Sequence, residues 1–120
     1  MRVVDRILGW SLVLLGCVHN FVAAPLTYDE LSSRALWFAS AGLALWYAGF
    51  INLLRSNSKE PTRLLRTFCV LTNLSMLVFV LTYAAVVGNW AAPESLVLIG
   101  IVAGLTAFSV IAGVSKPRPS

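Results

Sequence analysis

The sequence predicts an all-α integral membrane protein, a bundle of four membrane-crossing helices, on three observations: its composition, four long apolar runs, and the placement of its basic residues. Of 120 residues, 58% are hydrophobic and only 12% charged, outside the usual range for a soluble domain. The apolar residues gather in four runs of about 18 to 21 residues, each about 27–31 Å long as a helix and able to cross the hydrocarbon core. They fall at 7–24, 35–54, 67–87 and 95–115, within one domain covering 1–120, and none contains Asp, Glu, Lys or Arg. A soluble bundle would need a charged face on every helix, and these runs have none.

The basic residues set the orientation. Arg2 and Arg6 precede the first run, Arg55, Lys59, Arg63 and Arg66 lie between the second and third, and Lys116 and Arg118 follow the fourth. The other side carries only Arg34. Eight against one over short loops predicts both termini and the middle loop in the cytoplasm. The sequence pI near 9.6 therefore reflects solvated flanking charge that suits an anionic leaflet. It does not describe a basic patch with interleaved aromatics, and no nucleic-acid partner is expected. The lipid bilayer is the partner this composition names, and multi-pass insertion in a bacterial inner membrane is the expected location.

The first run raises the question of a cleaved leader. Arg2 and Arg6 before a short apolar stretch, then Leu14-Leu15-Gly16-Cys17, look like a lipobox. Retention is expected, because the apolar run continues past Cys17 through Val18, Phe21, Val22, Ala23 and Ala24, and because an even number of spans agrees with the charge count. Pro25 is expected to end the first helix. In the loop 25–34, Thr27 and Glu30 stand at capping-box spacing and predict a short helical turn leading into the second span. The loop after the second run is polar, and Pro61 suits a first helical position, so the third helix should begin there with Arg63 and Arg66 at headgroup level. Gly88 is the expected stop of that helix and Pro93 the expected start of the fourth. Pro117 and Pro119 leave the tail 116–120 without regular structure. Trp37, Trp90 and Tyr28 fall near the outer boundary, where amphipathic rings anchor.

Small residues mark the packing faces. Gly9, Gly16 and Asn20 are spaced 7 and 4, which aligns them within about 40° on one helix face. Gly42 and Gly49 repeat the pattern in the second run, with Asn52 one turn on. The fourth run contains a GxxxG formed by Gly100 and Gly104, read either as internal packing or as a dimer face.

The polar residues inside the runs form two levels once the helices are laid antiparallel. Asn52, Thr72, Asn73 and Ser109 lie toward the cytoplasm; His19, Asn20, Ser40, Thr82 and Tyr83 lie toward the outside. Interhelical hydrogen bonding accounts for either level, at about 0.6 kcal/mol per bond. The outer level is also the candidate ligand site, because His19 is the only side chain within a run that titrates near neutral pH. A neutral His19 hydrogen-bonding a neighbour or a small apolar ligand, in a pocket open to the outer leaflet, is the expected arrangement. One imidazole cannot by itself make a two-histidine haem site or a zinc site. Cys17 and Cys69 read as small buried hydrophobes, and no metal site is expected. No hydrolase elbow, phosphate loop or HExxH motif occurs, so no catalytic residue is assigned and no cofactor is named.

Gly16-Cys17-Val18-His19, with Leu36-Trp37-Phe38-Ala39, Gly42-Leu43-Ala44 and Gly49-Phe50-Ile51-Asn52, resembles a group of uncharacterised small bacterial four-span membrane proteins. The resemblance covers roughly the first half of the chain and implies the fold but no activity; a looser similarity runs to multi-span quinone- or lipid-linked subunits of the DoxX-like kind. The expected function is a binding or accessory protein, as a homodimer or beside a larger membrane complex. The alternatives are a haem or quinone protein or enzyme using His19, and a small oligomeric transporter.

Overall fold

A computed structural model describes residues 2–114. It is all-α, with four helices each long and apolar enough to cross a membrane. Helix α1 spans Arg2–Thr27, α2 Ser33–Asn57, α3 Arg63–Val87 and α4 Pro93–Val114. They run alternately up and down, so the start of α1, the α2–α3 loop and the end of α4 share one basic end. Each of the four expected runs falls on one helix, which extends beyond it by two to five residues at most ends. The predicted end of the fourth run at Ser115 and the tail 116–120 lie outside the described residues.

Local chemistry sets the helix ends, with three corrections to the sequence reading. First, α1 does not stop at Pro25. It widens into a π-helical stretch at His19–Ala23, in which the N–H of Ala24 reaches back five residues to the carbonyl of His19, and then adds a last α-turn, Ala24–Thr27. A proline ring clashes with the carbonyl four residues before it in a regular helix, and the wider turn directly ahead of Pro25 relieves that clash. Second, Thr27 caps nothing; its hydroxyl donates to the carbonyl of Ala23 (2.7 Å). Residues 28–32 are not helical, and Ser32 caps α2, its Oγ accepting from the N–H of Ala35 (3.1 Å). Third, Pro61 precedes the cap of α3 instead of opening the helix. Thr62 takes that role, its Oγ1 accepting from the N–H of Leu65 (3.1 Å). Gly88 does end α3, in the left-handed conformation at φ 71° with its N–H on Ala84 O (3.0 Å), and Pro93 does open α4.

The closest helix pair is α1 against α2, made by glycine. A Cβ at Gly16 would lie 2.8 Å from the carbonyl oxygen of Gly42, and one at Gly49 would lie 3.0 Å from that of Gly9. No side chain fits at those distances, which is why backbones approach there. Trp46 ties the pair, its Nε1 donating to the carbonyl of Val13 (3.1 Å). Helix α4 packs against α1 at Gly104, where a Cβ would meet Leu8 Cδ1 at 2.9 Å. Gly100, the other half of the GxxxG, has nothing within 4 Å of its Cβ position and is exposed. The motif is therefore not one packing face: only Gly104 is covered, while Gly100 lies on the outer surface.

The core is a single apolar cluster, Leu12, Leu45, Ala48, Val102 and Leu105, with Leu8, Met76 and Leu98 packed against it. Large apolar side chains also cover the outside, among them Trp10 (62% exposed), Leu14 (65%) and Phe21 (69%).

Candidate functional site

The π-helical stretch presents His19 toward α2. Its imidazole stacks on Phe38, ring centroids 4.2 Å apart and planes within 15°, and its Nε2 lies 2.8 Å from the carbonyl oxygen of Phe38. A carbonyl only accepts, so Nε2 carries the proton and donates. Tyr28, from the loop after α1, sets its ring edge-on to the other partner of the stack, 5.4 Å from Phe38. The histidine is thus held by one stacked ring and a backbone oxygen, and its Nε2 is already committed.

Beside this stack the bundle opens. Helices α2 and α3 are joined at the basic end and part toward the opposite end, leaving a cleft of about 830 Å³, open to the side and floored by α4. It runs from Trp37 to Ala48 on α2 and from Thr72 to Tyr83 on α3, about 16 Å along each helix. Its deeper part is apolar, with Leu45, Ala48, Met76, Val80 and Leu98. At the far end stand His19, Trp37, Tyr83, Glu94 and Ser95.

Three of the five sequence-predicted ligand residues, His19, Ser40 and Tyr83, line this cleft. The hydroxyl of Ser40 donates to Trp37 O (2.6 Å). Asn20 and Thr82 do not line it. Asn20 is packed onto Gly42 in the α1–α2 contact, where the absent Cβ leaves it room, and its buried Oδ1 has no hydrogen-bond partner. Thr82 is exposed, and its hydroxyl donates to Val78 O in its own helix (2.7 Å), so it has nothing to offer a ligand between helices. Thr72, expected in the other polar level, belongs here instead. Trp37, expected only as an interfacial anchor, also lines the cleft.

The basic end holds a second polar group, which the sequence reading saw only in part. Arg55, expected as a solvated loop charge, is instead 4% exposed and forms a bidentate pair with Asp5 of α1 (2.7 and 2.8 Å). Its Nε donates to Cys69 Sγ (3.2 Å) and its Nη2 to Asn52 Oδ1 (3.3 Å). Asn52 and Asn73 exchange amide hydrogen bonds (2.7 and 2.9 Å), and Asn73 reaches Ser109 Oγ (3.1 Å) and Leu105 O (3.3 Å) on α4. Cys69 is buried as expected, yet it is not merely a small hydrophobe, because its S–H donates to Asn52 Oδ1 (3.2 Å). All four helices are thereby tied through side chains that satisfy one another.

The spacing that carried this signal is Asn52 with Arg55, three apart, and Cys69 with Asn73, four apart, each pair on one helix face. The cluster offers a ligand no free group, whereas the cleft offers space and open polar atoms. Among the described residues, no three His, Cys, Asp or Glu side chains converge as metal ligands. Comparison with protein-family models, with characterised proteins and with solved structures gives no match to the chain.

Proposed function

We propose that the chain is a four-span membrane protein, with both termini in the cytoplasm, that binds a lipid-soluble molecule in the cleft between α2 and α3. The exterior supports insertion. Rings and aliphatic chains such as Trp10, Leu14 and Phe21 face outward on helices that carry four membrane-length apolar stretches, a surface that water would drive to aggregate and lipid would solvate. The one-sided basic charge supports the orientation, and the bacterial inner membrane follows from the resemblance of the first half of the chain.

The single observation that carries the binding function is the cleft. Its volume falls within the range of small-molecule sites. Its length of about 16 Å is half of the roughly 30 Å hydrocarbon core, so it occupies one leaflet, with its polar mouth at the outer headgroup level. A molecule dissolved in that leaflet enters from the side without crossing water.

The test fills the cleft. Ala44 is exposed in it, and Ala44→Trp puts a large ring where the ligand would lie without touching the core. Mass spectrometry of molecules retained by the purified full-length protein should show a species that the Ala44→Trp variant has lost. An identical set of retained molecules in both would overturn the reading.

A further inference from the structure

Resting on the cleft reading, we infer that the occupant is a lipophilic cation. The lining supplies two features that recognise positive charge and no Lys or Arg side chain to pair with a negative one. Trp37, Tyr47, Phe79 and Tyr83 all line the cleft with substantial ring surface exposed, and aromatic faces attract cations, most strongly where water is excluded. At the mouth stands the carboxylate of Glu94. Among the described residues the only ion pair is Asp5–Arg55, so Glu94 has no basic partner.

No Lys or Arg lines the cleft. An anionic headgroup would meet a carboxylate there and no counter-charge. The surroundings act in the same sense: the end of the bundle that carries the mouth holds Asp29, Glu30 and Glu94 against Arg34 alone, three acids to one base. The complementarity is to a bulky organic cation whose apolar groups fill the deeper cleft beside Leu45 and Met76 while its charge lies among the rings near Glu94.

A pair of ions of nearly equal shape and opposite charge tests this. The full-length protein in zwitterionic phosphatidylcholine nanodiscs is titrated with tetraphenylphosphonium and, separately, with tetraphenylborate, and binding is counted as the saturable part abolished by Ala44→Trp. Tetraphenylphosphonium should show such binding and tetraphenylborate should not. Glu94→Gln, an exposed change that leaves the packing alone, should weaken the cation by about fivefold. Tetraphenylborate binding as tightly as the cation, and abolished by Ala44→Trp, would overturn the charge preference while leaving the cleft as a binding site. Absence of cleft-dependent binding for both ions would overturn it as well. In that case the retained-molecule comparison between wild type and Ala44→Trp reports separately whether the cleft binds anything.

Discussion

Arg55 and Asp5 depend on each other at the scale of single side chains. Both are nearly fully buried, and their charges are balanced by each other and by Asn52 and Cys69. Removing one partner strands the other charge, at a cost of about 3–5 kcal/mol, whereas removing both leaves only a packing change. Arg55→Leu should therefore melt well below wild type in detergent, and Asp5→Leu/Arg55→Leu should recover most of the loss. Equal melting of the single and double variants would mean that the pair is hydrated and weak. Sequence alone could read Asn52, Asn73 and Ser109 as one polar level, because a polar side chain in an apolar run needs a partner. It could not read Arg55 as their neighbour. An arginine one residue beyond an apolar run looks the same whether it reaches outward to water or inward to an aspartate fifty positions away. Asp5, standing between Arg2 and Arg6, has the same ambiguity.

Among the helices, glycine spacing was the most legible feature and the π-turn the least. The seven-residue repeat of Gly9 with Gly16 and of Gly42 with Gly49 specifies a flat face on each helix, and two flat faces pack closely wherever they meet. The GxxxG of α4 misled because spacing reports only that two residues share a face, not whether a neighbouring helix follows that face for a full turn. This separates two substitutions of identical chemistry. Gly104→Leu would drive a side chain into Leu8 and should cost about 1–3 kcal/mol as overpacking. Gly100→Leu, which meets nothing, should be neutral or slightly stabilising, since glycine is about 0.8–1.0 kcal/mol worse than the best helix formers inside a helix. Thermal melting of the two variants side by side checks this, and a loss at Gly100 equal to that at Gly104 would place a second helix or a second copy of the chain against it. The widened turn at His19–Ala23 had one trace in the sequence, Pro25, whose ring reads equally as a helix end or as a strain absorbed upstream.

At the scale of the whole molecule, four apolar runs were enough to give the number of helices, because length and the absence of charge are properties of each run alone. The cleft was not legible as a volume. It depends on α2 and α3 meeting at one end and separating at the other, which no single helix encodes. Orientation is checked by cysteine labelling in a Cys17→Ala background, which removes the half-buried native thiol and leaves the buried Cys69. A cysteine at Ser58 should react with a membrane-impermeant reagent only after permeabilisation, and one at Asn89 should react in intact cells; labelling of Ser58 from outside would refute the proposed topology. That topology gives the Asp5–Arg55 pair a history as well as a place. Its partners are 50 residues apart, so in that topology Asp5 would reach the membrane before Arg55 has been made. Arg55 would then arrive as an unneutralised cation and count with its neighbours in holding the middle loop back from crossing. Only when the first two helices lie side by side does its charge cancel. In the proposed topology one arginine would thus serve twice, first as a signpost during insertion and afterwards as a clasp in the finished bundle, and the pairing would withdraw one positive and one negative charge together from that end of the molecule, leaving its net charge as it was.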